Sequence, residues 1–92
     1  MRVARKKPGE PWELVEIENT LEALQAEVGG YIEVVTICDN LVLVLNEEGA
    51  INGSRFNFRW GHHQLFGTLL FCGVDGDEFT DVPEAIIPIL PT

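Results

Sequence analysis

The run Leu41-Val42-Leu43-Val44-Leu45 is apolar at every position, so a strand built from it has no side to give to water. It must be covered on both faces, by a helix and a second layer or by a partner chain. The segment before it, 31–38, is rich in β-branched and apolar residues, and the intervening Asp39-Asn40 tolerates the positive φ of a tight turn. This pattern predicts a β-hairpin over 31–38 and 41–45, with Asn46-Glu47-Glu48-Gly49 turning outward after it.

A chain of 92 residues has room for one core, so residues 1–92 read as a single domain. Apolar residues make up 46% and charged residues 23%, a balance that disfavours general disorder. A helix lies just upstream of the apolar hairpin. Asn19 is a good N-cap, Glu22 follows three residues on as in a capping box, Leu21, Leu24 and Val28 recur on one helical face, and Gly29-Gly30 supplies a left-handed stop. Together they predict a helix over about 20–28. Earlier still, Arg2-Val3-Ala4-Arg5 and residues 12–17 read as strands joined by the turn Pro8-Gly9-Glu10-Pro11.

Downstream, 51–63 lacks a clean period and reads as a structured loop or short irregular helix, and 65–73 resumes as a strand. Val74-Asp75-Gly76-Asp77 then turns the chain toward a short helical turn capped by Thr80, with Pro83 and Glu84 in its early positions. Pro88 and Pro91 prevent a long terminal helix. The expected class is α+β: a small, mostly antiparallel sheet with one main helix and a short C-terminal helical turn.

The order of Ile17-Glu18-Asn19-Thr20-Leu21, Val28-Gly29-Gly30-Tyr31-Ile32-Glu33, Asn46-Glu47-Glu48-Gly49, Gly67-Thr68 and Gly73-Val74-Asp75-Gly76 resembles the domain of unknown function 3846, a family of small proteins of phages, plasmids and other mobile elements, mainly of Gram-positive bacteria. The resemblance covers most of the chain. Where that family has a proline-containing stretch ending in asparagine, this chain has Gly53-Ser54-Arg55-Phe56 before Asn57. The resemblance implies no reaction. It implies a setting in mobile DNA, where small acidic accessory proteins often counter host defence by binding a protein or a signalling nucleotide.

The net charge of −9 opposes undirected binding to nucleic acid or anionic lipid, and no apolar run approaches the ~18 residues of a membrane span. Arg5-Lys6-Lys7 leads into Pro-Gly-Glu-Pro instead of an apolar leader, so the expected compartment is the cytoplasm. Cys38 and Cys72 sit within apolar runs and fit small buried hydrophobes, with a Cys38–Cys72 bridge as the alternative.

Most candidate chemistry reduces to ordinary surface or core roles. His62 and His63 with Cys38 and Cys72 total four zinc-ligating side chains, but adjacent residues of an extended segment point apart, so no metal site is expected. Asp75, Asp77, Glu78 and Asp81 depart from the calcium-loop spacing and read as a solvated turn. Ser54 lacks a nucleophile elbow, Glu47-Glu48 reads as a solvated turn rather than an acid/base pair, and no glycine-rich phosphate loop is present. Neither an enzyme nor a cofactor is expected.

One stretch stands apart. Arg55-Phe56-Asn57-Phe58-Arg59-Trp60 holds the only basic side chains beyond Lys7, interleaved with aromatic rings. Aromatic faces stack bases and guanidinium groups pair with phosphates, although rings turned inward and arginines neutralising nearby carboxylates would explain the same pattern. The expectation is a non-enzymatic binding protein of a phage or mobile element that sequesters a nucleotide-like signal. Arg55 and Arg59 would hold phosphate, Trp60 would stack, Asn57 would read polar edges, and Glu47 and Glu48 would flank the site. The alternative is an acidic inhibitor of a host enzyme that imitates nucleic acid through Glu10, Glu13, Glu16, Glu18, Glu22 and Glu27. A homo-oligomer, a dimer first, is expected because one helix is short cover for the apolar runs 41–45 and 65–71.

Overall fold

The computed structural model describes residues 1–49 and 53–90, without the side chains of Phe58, Trp60 and His63. Its elements run β1 (Arg2–Lys6), β2 (Glu13–Glu16), α1 (Leu21–Val28), β3 (Ile32–Cys38), β4 (Leu41–Asn46), β5 (Phe56–Trp60), β6 (His63–Phe66), β7 (Leu69–Asp75), β8 (Glu78–Thr80) and a 3-10 helix over Glu84–Ile89. The fold is α+β. An antiparallel sheet has the order β2-β1-β7-β4-β3, and β8 pairs with the far half of β7, in line with β1. A separate hairpin, β5–β6, packs on one face of this sheet.

β4 is buried along its whole length, as its composition demands. Val42 and Val44 join Val3, Leu70 and Cys72 beneath Leu24 and Val28 of α1. Leu41, Leu43 and Leu45 join Ala4, Leu69 and Phe71 on the opposite face, under Leu65 of β6, Val82, Trp12 and the 3-10 residues Ile86 and Ile87. Both covers belong to this chain, so β4 needs no partner chain to bury it.

The helix ends where expected and begins one residue later. Gly29 adopts φ 81°, and its N–H reaches the Gln25 carbonyl at 2.8 Å, a left-handed cap that only glycine takes without strain. The N-cap is Thr20 rather than Asn19: Thr20 Oγ1 accepts from the Ala23 N–H at 3.1 Å. Asn19 is engaged elsewhere, donating to the Phe79 carbonyl at 2.7 Å. Leu21 is 53% exposed, so the buried stripe is Leu24 and Val28.

The β3–β4 turn also differs in detail. Among the described residues no non-glycine has positive φ, so Asp39-Asn40 does not use the mirror-image turn. Instead the register slips between Thr36 and Cys38, and this bulge adds the twist that closes the hairpin. Cys38, at the end of an edge strand, is exposed, whereas Cys72 is buried on the helix side of the sheet; both are free thiols.

The largest departure is β5–β6, which replaces the loop or irregular helix expected over 51–63; residues 50–52 lie outside the described part. Gly61 (φ 59°) and His62 make a two-residue turn with positive φ at its first position only, as type II′ turns have. A register shift between Phe56 and Phe58 makes Asn57 the bulged residue. That extra residue turns Asn57 inward and leaves Phe56 half-exposed, so the aromatic/polar alternation of 56–60 does not map onto one buried face. Gly67 (φ 78°) then divides the expected strand 65–73 into β6 and β7. Thr80 lies in β8 and caps nothing; the 3-10 helix starts after Pro83 with no side-chain cap. The chain reaches it by crossing Gly73, where a Cβ would collide with the Asp81 carbonyl.

Candidate functional site

Strand alternation sends Arg5 and Lys6 to opposite faces of the sheet and brings Lys7 out at the end of β1. Lys6 runs under the β5–β6 hairpin and is buried there, its Nζ 2.7 Å from Asn57 Oδ1. The Asn57 amide nitrogen donates to the carbonyls of Lys6 at 2.9 Å and Gly67 at 2.7 Å, and the Gly67 N–H donates to the Arg55 carbonyl at 2.7 Å. One buried amide therefore ties together the end of β1, the start of β5 and the link between β6 and β7.

These three segments, with the C-terminal turn of α1, surround an open cleft of about 490 Å³. Lys7, Ser54, Arg55 and Thr68 line it, beside Glu10, Glu27 and Gly29. Arg55 lies over the Gly9 turn, its Nη2 3.4 Å from where a Cβ would stand. Of the six Lys and Arg side chains, Arg2 pairs with Glu84 and Arg5 with Glu13 and Glu27. Among the described residues, Lys7 and Arg55 have no carboxylate within ion-pair distance, and both line this cleft. Glu27 is held by Arg5 Nη1 at 2.9 Å, which offsets its charge at the cleft wall. The hydrogen bonds that Arg5 donates to Glu13 and then to Glu27 raise its pKa further above its already high ordinary value.

The predicted binding residues are thus dispersed. Arg55 is in the cleft, and Asn57 lies behind it as a positioning group with its amide already engaged. Arg59 is near the turn end of β5, its Nε donating to the Gly61 carbonyl at 3.0 Å. The Trp60 side chain lies outside the described part. Glu48 is exposed, its N–H donating to Asn46 Oδ1 at 2.8 Å. Glu47 belongs to a different pocket of about 220 Å³, with a floor of Val35, Leu43, Leu45, Leu65 and Phe66 and with Glu33 as a second carboxylate. Nothing in the sequence marked Lys7 or Thr68 as a ligand contact; only folding brings them to Arg55.

Other candidates also scatter. Burial pushes the Cys72 thiol up to about 12, far from a ready thiolate. No group of three or more His, Cys, Asp or Glu among the described residues gathers to hold a metal. Of the six acids proposed as a negative face, Glu13 and Glu27 grip Arg5, and Glu16 is 3.7 Å from the N-terminal ammonium. No helix among the described residues is long and apolar enough to cross a membrane.

An antiparallel sheet with one helix on one face and a hairpin on the other defines a small α+β protein with two pockets at the hairpin's borders. The chain belongs to the family described as a domain of unknown function (DUF3846), which it matches over residues 1–89. No curated protein and no solved structure matches it.

Proposed function

We propose that the protein is a non-enzymatic binding protein that captures a small phosphate-bearing, nucleotide-like ligand in the cleft between Lys7 and Arg55. One observation carries this reading: in a chain of net charge −9, two cations without a carboxylate partner, from segments far apart in sequence, line one open cleft with the hydroxyl residues Ser54 and Thr68. A guanidinium pairs with phosphate through two parallel hydrogen bonds, and an ammonium adds a point charge beside it. The missing nucleophile elbow and phosphate-loop signatures favour capture over turnover. The mobile-element setting implied by the family resemblance makes a signalling nucleotide the first ligand class to try.

Calorimetric titration with linear and cyclic nucleotides at two salt concentrations tests this. Lys7→Ala and Arg55→Ala should each weaken binding by about 1.5–3 kcal/mol. Arg59→Ala, remote from the cleft, should leave binding unchanged. Absence of heat with every nucleotide, or indifference to both cleft variants, rejects the assignment.

A further inference from the structure

We infer that the free edge of β3, with the Glu33/Glu47 pocket beside it, is a docking site for an extended basic segment of a partner protein. That segment adds as a strand to β3 and places a lysine or arginine side chain in the pocket.

The two edges of the sheet differ in their protection. β2 is four residues long, carries Glu13 and Glu16, and follows Pro11 closely, all features that discourage further pairing. β3 is seven residues long, is β-branched at most positions, and has Glu33 as its only charge. No strand among the described residues pairs with its outer side. Val34 stays 43% exposed on the strand, and Tyr31 just before it is 70% exposed.

Glu33 and Val35 of this strand also line the 220 Å³ pocket, whose apolar floor comes from β4 and β6 and whose other carboxylate is Glu47. That volume is below the roughly 300–1,000 Å³ of small-molecule sites and suits a single long side chain. An arginine or lysine lays its methylene stem on such a floor and brings its charged head to the two carboxylates. Strand addition supplies the rest: main-chain bonds give affinity, and every second side chain faces the pocket. The intervening side chains face the side of Val34, so the occupant alternates basic and apolar residues. A second copy of this chain fits poorly, because its own β3 would bring Glu33 instead of a cation to a protein already at −9.

The test uses a capped seven-residue peptide alternating valine and arginine, titrated into the isotope-labelled protein. Amide shifts should concentrate in 32–38 and at Glu47, with valine–glutamate and backbone N-methylated peptides failing to bind. Glu33→Gln with Glu47→Gln should weaken binding about tenfold or more, with the melting temperature unchanged. Lys7→Ala should have no effect, which separates this site from the nucleotide cleft. Failure of the arginine peptide to bind, equal binding of the glutamate peptide, insensitivity to both Gln variants, or a dimer that protects the β3 amides without any peptide would each overturn the inference.

Discussion

Arg5 and Lys6 are neighbours in β1 and carry the same charge, yet they hold down different layers. Arg5 reaches past the rim of the helix face to Glu13 and Glu27, where its side chain stays partly exposed. Lys6 goes under the hairpin face and meets Asn57 out of water. The difference follows from what covers each face. α1 lays a continuous apolar stripe, Leu24 and Val28, across the sheet, and its ion pairs only trim the border. The other face is covered by a patchwork of hairpin, 3-10 helix and Trp12, so a buried polar tie fixes where the hairpin sits. Both proposed sites lie at the borders of that hairpin, and its placement shapes them both.

The largest test of this contrast is in the cores. Phe71 is buried on the hairpin face and stacks on Trp12 with ring centroids 4.7 Å apart, so Phe71→Ala should cost about 3–5 kcal/mol in urea unfolding. Leu24→Ala on the helix face should cost about 2–5 kcal/mol by the same measurement. A loss well under 1 kcal/mol for either would show that its face is not a packed core.

Next comes the polar tie. Asn57→Ala removes three hydrogen bonds in a buried setting and should cost about 2–3 kcal/mol while also weakening nucleotide binding through the displaced Arg55 segment. Loss of stability with the cleft's binding intact would mean that Asn57 does not position it.

The smallest effect belongs to the helix rim. Arg5→Ala should cost no more than about 1 kcal/mol, and raising salt from 0.1 to 1 M should narrow the gap to wild type, because partly exposed ion pairs are screened. A cost as large as that of Asn57→Ala would erase the distinction between the two faces.

Residues that report their surroundings locally were readable in advance. β4 had to be buried on both sides because it has no polar position, Gly29 had to stop the helix because it alone takes a left-handed cap freely, and β1–β2 followed from strand residues flanking a Pro-Gly turn. β5–β6 was missed because its alternation spans only Phe56 to Trp60 between the loop signals Gly53 and Gly61, and the bulge that buries Asn57 instead of Phe56 leaves no local mark. Asn19 and Thr20 are both good caps, and the choice between them was made by Phe79, sixty residues away along the chain.

The candidate site shows the same division. Arg55 is legible in the sequence as a rare cation in an acidic chain, but local chemistry does not say which cations keep a carboxylate partner. Long-range packing matches Arg5 with Glu13 and Glu27 and leaves Lys7 to stand with Arg55 at one cleft. It likewise turned Asn57 from a presumed ligand contact into the tie behind that cleft, because a buried amide must find its hydrogen bonds wherever the fold places carbonyls, here those of Lys6 and Gly67.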